Sequence, residues 1–140
     1  MGNPALTLLG LARRGGNLAM GEAPVAEACQ AKKAGAVLLA SNAGESTCRR
    51  GRRMAEQAGV PLIALPWTKE EVGFQLGRAT CALLAPTDLG LTSALVQQLA
   101  RQDEALRPLA QQLAEKAQRR LARRGKKKNK QAGKRPAVEL

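Results

Sequence analysis

Few side chains in this sequence are equipped to make or break bonds. There is no histidine, which removes Ser-His and Cys-His nucleophile pairs and the commonest metal ligand together. Ser41, Ser46 and Thr47 gather around Glu45, but with no imidazole and no nearby lysine to take a proton they read as helix caps and helix-surface residues. Cys29, Cys48 and Cys81 cannot all pair, being three and far apart, and no Cys-x-x-Cys spacing offers a zinc site. Reduced, mostly buried thiols are expected. No catalytic residue, metal ligand or cofactor is assigned, and an enzyme is not expected.

What remains is the chemistry of cations toward anions. The net charge is +12, and its placement says more than its size: residues 1–115 hold 12 Lys/Arg against 10 Asp/Glu, whereas residues 116–140 hold 11 against Glu139 alone. A basic block of this kind, with Lys126, Lys127 and Lys128 at its centre, suits a polyanion, because neutralising phosphates releases condensed counterions. A solubilising tail is the other reading. Arg13 and Arg14 before the Gly15-Gly16 turn, and Lys32 and Lys33, are further candidate phosphate contacts, since arginine presents a fork of donors that matches phosphate oxygens. Each also fits an ordinary solvated surface. Arg49, Arg50, Arg52 and Arg53 share the outer face of one helical pattern, either as a second anionic contact or as a solubilising face.

The elements that carry these residues alternate between helix and short strand. Residues 5–14 read as a helix stopped by Gly15-Gly16, and residues 18–20 as a brief apolar run. A second helical pattern uses Val25, Ala26, Cys29 and Ala34 and ends at Gly35, with Pro24 tolerated in its first turn. Residues 36–40 are a continuous apolar run, as a central strand covered on both faces requires. Ser41 or Asn42 caps the next helix, whose apolar face is Cys48, Gly51, Met54, Ala55 and Ala58 and which Gly59 closes. Residues 62–65 form a strand, Thr68 and Glu71 a capping box for a helix ending near Gly77, and residues 80–85 the last strand. Thr87 or Asp88 then caps a long helical region striped by Leu91, Leu95, Leu99, Leu106, Leu109 and Leu113, which Pro108 should kink or divide. From Lys126 onward there is no apolar periodicity, and disorder is expected. The pattern predicts an α/β domain with a small sheet between helical layers.

Three stretches, residues 8–22, 37–47 and 60–73, share one framework: an apolar run joined to a polar or glycine-rich turn that opens a helix. Their order and spacing resemble the kink-turn RNA-binding superfamily of small ribosomal proteins, archaeal L-seven-Ae and L-thirty-e-like, and within it the bacterial YlxQ-type branch. The likeness runs from about residue 6 to about residue 95. It implies a three-layer α-β-α sandwich with a mixed four-stranded sheet, followed here by a C-terminal helical extension and basic tail. It implies RNA contact at the Met20-Gly21-Glu22 turn, where a glycine admits nucleic acid close to the backbone and a helix N-terminus carries partial positive charge. Without the resemblance, that turn is equally an ordinary strand-to-helix connection. The second implied surface is the loop Gly77, Arg78, Ala79, Thr80, Cys81 and Ala82, packing small groups against extruded bases, with Arg78 toward a phosphate and Lys69 nearby. The same analogy places the four-arginine face away from the RNA. At Ala23 and Pro24 the sequence departs from kink-turn binders that carry an Asn-Glu or Lys-Gln type pair followed by lysine, so the side chains that read sheared G·A pairs are missing.

At 140 residues the chain fits one domain with a tail: residues 1–100 the RNA-binding domain, 101–124 the helical extension, 125–140 the disordered tail. Aromatics are 1% of the chain, so the core must be aliphatic and a stacking platform of exposed rings is not expected. No apolar run reaches the roughly 18 residues that span a membrane, nor does the N-terminus read as a secretory signal, so a cytoplasmic protein is expected. These readings converge on a non-enzymatic binder of ribosomal or other structured RNA, with ribosomal proteins as further partners. The rivals are a protein-interaction module docking on a ribosomal or translation protein through its C-terminal helix, and a nucleoid-type DNA binder, since charge alone does not separate RNA from DNA.

Overall fold

The computed structural model describes residues 3–139, with side chains as far as residue 123. The chain runs α1 (Pro4–Arg14), β1 (Leu18–Met20), α2 (Glu22–Gln30), β2 (Val37–Leu39), α3 (Glu45–Ala58), β3 (Leu62–Ala64), α4 (Lys69–Leu76), β4 (Leu83–Pro86) and α5 (Leu89–Ala100), then a 3-10 turn (Glu104–Leu106) and α6 (Arg107–Glu139). The sheet order is β1-β4-β2-β3, with β4 antiparallel to both β1 and β2, and β2 parallel to β3.

Strands β2 and β4 are interior and buried at every position, as their unbroken apolar sequence demands. Alternation along them divides the core. Leu38 and Leu84 meet Leu9 of α1, Val72 and Leu76 of α4, and Leu95 and Leu99 of α5 on one face. Val37, Leu39, Leu83 and Ala85 meet Val25 and Cys29 of α2 and Ala55 of α3 on the other. The result is an α-β-α sandwich over a mixed sheet.

Local signals set most boundaries. Thr68 Oγ1 accepts the Glu71 N–H at 3.1 Å while the Glu71 carboxylate accepts the Thr68 N–H at 3.2 Å, completing the capping box. Gly59 and Gly77 close α3 and α4 at φ 69° and 73°, a left-handed conformation glycine adopts without penalty. Asp88 caps α5 by accepting the Leu91 N–H at 2.9 Å.

Four expectations are corrected. Helix α2 ends at Gln30, not Gly35: Lys32 turns left-handed at φ 59°, and the Lys33 and Ala34 N–H groups both return to the Ala28 carbonyl. Ala34 stays buried through packing after the helix has stopped. Neither Ser41 nor Asn42 caps α3, which opens at Gly44; Asn42 instead serves α4, its Oδ1 accepting the Lys69 N–H at 2.7 Å. The last strand begins at Leu83, because the Cys81 N–H goes to the Lys69 carbonyl rather than to a strand partner. The long helix divides between Ala100 and Arg107, and Pro108 sits harmlessly in the first turn of α6.

The extension is no appendage. Ala110 and Leu113 of α6 are buried in the same cluster as Leu95 and Leu99, so the first two turns of α6 pack into the domain core. Helix α6 runs from Arg107 to Glu139. The side chains of Lys126, Lys127 and Lys128 lie outside the described residues.

Leu113→Ala should therefore destabilise the whole domain by about 2–5 kcal/mol in urea denaturation, the cost of a cavity in a packed core. A loss within about 0.5 kcal/mol, as at a surface position, would mean that α6 is only an attachment.

Candidate nucleic-acid interface

Antiparallel pairing of β1 with β4 sets Met20 opposite Leu84, and the chain leaves the sheet at Gly21, whose N–H donates to the Leu83 carbonyl at 2.9 Å. Gly21 stands at φ 91°, ψ 169° and opens α2 without any side-chain cap. A side chain there would be strained. Met20 itself is partly buried and packs against the core.

The loop 77–82 reaches the same place from the other direction. Helix α4 holds it: the Arg78 N–H donates to the Gly73 carbonyl and the Cys81 N–H to the Lys69 carbonyl, both at 2.8 Å. The loop lies so close to the helix that a Cβ on Gly73 would stand 2.7 Å from Thr80 Cα. Arg78 then extends over Gly21, its guanidinium 4.0 Å from where a Cβ on that glycine would be. Gly21, Glu22, Arg78, Thr80 and Ala82 line one open cleft with Thr47 of α3, over a floor of Cys81 and Leu83.

Burial raises the Cys81 thiol above its ordinary range, while the nearby Arg78 charge and a backbone hydrogen bond from Leu83 pull it partly back. Cys81 is therefore a neutral, structural thiol near neutral pH. Cys29, packed between α2 and the sheet, is raised by burial alone.

The remaining candidates separate. Arg13 lies beside the loop, its guanidinium 3.8 Å from a Cβ position on Gly77, while Arg14 and Ala79 are simply exposed. Lys69 acts through its backbone, taking the Asn42 cap and holding Cys81. Lys32 and Lys33 are not brought to the cleft: they follow the C-terminal end of α2, whereas Gly21 opens its N-terminal end.

Three features escape sequence reasoning. Thr47 lines the cleft, and Arg50 Nη1 donates to both carboxylate oxygens of Glu22 at 2.7 and 2.9 Å, which brings one arginine of the α3 face to the rim of the cleft. Nothing in the local sequence signals that pairing across 28 positions. Phe74 is 86% exposed, a lone outward ring. The signal was present: Val72 and Leu76 face the core, so the residue between them must point outward.

No protein-family model matches the chain, and no curated protein matches it. Among solved structures 213 chains match. One is a protein of unknown function from Bacillus halodurans, 26% identical, with a TM-score of 0.64. The match covers 97% of that protein but 69% of this chain. The likeness extends over nearly all of the neighbour and leaves almost a third of this chain with no counterpart in it.

Gly73→Ala should shift the amide resonances of residues 78–82 and cost about 1–3 kcal/mol, because backbone atoms must move to admit the methyl group. Unchanged loop resonances would show that α4 does not position Arg78.

Proposed function

We propose that this protein is a non-enzymatic RNA-binding protein, of the kink-turn kind that its sequence resembles, acting on ribosomal or another structured RNA in the cytoplasm. One observation carries the reading. Gly21 and the 77–82 loop, far apart in sequence, line one cleft with an arginine over a bare glycine backbone and an uncapped helix N-terminus. Such a cleft offers a phosphate both a guanidinium fork and free backbone donors. The cation-rich end of α6 adds affinity that does not depend on sequence.

A protein-docking reading has less to draw on, because the leucine stripe is spent inside the domain: Leu95, Leu99 and Leu113 are buried, and Leu106 and Leu109 pack against the same core. Helix α2 opens with Glu22, Ala23 and Pro24. Ala23 brings no polar side chain and Pro24 no N–H, so the turn contacts phosphates and contributes little to base recognition.

Arg78→Glu should weaken binding to a kink-turn RNA more than Arg52→Glu, which places the same charge change on the exposed face of α3. Equal losses would reduce binding to diffuse electrostatics and remove the cleft from the account. Titration of a kink-turn RNA and a plain duplex of equal length at physiological salt should show discrimination well below the roughly 4–10 kcal/mol of specific nucleic-acid readers. Nanomolar, kink-turn-selective binding would show that residues other than Ala23 and Pro24 read the bases.

A further inference from the structure

At the opposite end of the sheet from Gly21, a second cleft gathers cations from two parts of the chain that are distant in sequence. Lys32 and Lys33 come from the turn after α2, and Lys116 and Arg120 from α6, around an apolar floor that includes Leu113, Leu89 and Val60. No carboxylate lines it. None of the four cations is in an ion pair among the described residues. In the adjoining cleft, which shares Arg120 and Leu89, the Asp88 carboxylate is engaged in capping α5.

The cleft is built. The turn carrying the lysines is pinned by the Lys33 N–H to the Ala28 carbonyl at 2.9 Å and the Gly35 N–H to the Pro86 carbonyl at 2.8 Å. Gly35 presses so closely on α5 that a Cβ would stand 2.3 Å from Thr92 Oγ1. On the other wall, buried Leu113 seats α6, and Lys116 and Arg120 follow it at spacings that keep them on one helix face. A cleft lined by four cations and no carboxylate focuses a positive potential that favours a multiply charged anion.

We propose that this second cleft is a phosphate-binding site, occupied by backbone phosphates of the same RNA that meets the Gly21 cleft. The assignment to RNA rests on the proposed function; the preference for phosphate rests on the cleft alone. Helix α2, nine residues long and therefore about 13 Å, separates the two ends, a distance that one folded RNA spans.

The full chain is titrated with inorganic tripolyphosphate while amide resonances are followed, and its affinity for a structured RNA is measured over a salt series. Amides of residues 32–35 and 116–120 should shift saturably, and the shifts should disappear in the Lys33→Ala/Arg120→Ala variant. Both residues are exposed, so the fold is kept. The slope of log affinity against log salt should fall by about 2 in that variant, and by less in Arg101→Ala/Arg107→Ala, which loses the same charge elsewhere. Absence of the tripolyphosphate shifts overturns the site, and equal slope changes in the two variants overturn it as a specific contact. Shifts with an unchanged RNA slope overturn the RNA assignment and leave a site for free phosphates. A wild-type chain that shows the shifts but binds no RNA defeats the proposed function and the RNA assignment together, while the phosphate site itself stands.

Discussion

The interface depends on a side chain that is missing. Because Gly73 has no Cβ, the backbone of residues 78–80 can lie directly on α4, and the Arg78 and Cys81 N–H groups reach the carbonyls of Gly73 and Lys69. That contact postpones β4 to Leu83 and leaves residues 77–82 as a fixed loop. Strand β4 in turn offers the Leu83 carbonyl to the Gly21 N–H, which sets the turn at the mouth of the loop. Arg78 over Gly21 is the outcome. Any residue larger than glycine at position 73 would separate two surfaces whose nearness gives the cleft its chemistry.

Electrostatics then decide what the cleft can accept. Glu22 occupies the first turn of α2, where a carboxylate is favoured by the helix dipole, and pairs with Arg50 of α3. Both side chains are about half exposed, and a pair of that kind contributes only about 0.2–1 kcal/mol. A phosphate can therefore take Arg50 from Glu22 at little cost. Ser46, Arg49, Arg50 and Arg53 line a separate groove on α3, tied to the cleft by the Arg50–Glu22 pair. Cations are thus gathered on built surfaces at both ends of the sheet, although most of the net excess lies in residues 116–140.

Much of this architecture was legible because its signals are local. The apolar run around Val37, the Thr68-Glu71 box, the glycines at positions 59 and 77 and the cap at Asp88 each act within a few residues, and each marks an element where it is found. What was not legible depends on contacts between distant segments. Asn42 has the chemistry of a cap, yet it caps α4 and not the helix that follows it, because the β2-β3 pairing brings Lys69 within its reach. The burial of Leu113 could not be separated from an exposed stripe without knowing that α6 folds back on α5. Residues 21 and 77–82 were each singled out by resemblance, but their convergence follows from Gly73, a glycine inside a helix that sequence reasoning passed over. Where Lys32 and Lys33 emerge was not legible for the same reason: a one-dimensional reading counts charges and does not say at which end of the sheet they lie.

Ultraviolet cross-linking of the protein to RNA in cells, with the cross-linked peptides identified by mass spectrometry, tests the central claim most directly. Convergence of the two segments into an RNA-contacting cleft predicts cross-links on peptides that contain Gly21 and on those that contain residues 78–82. Cross-links confined to residues beyond 107, with none in the core, would contradict it.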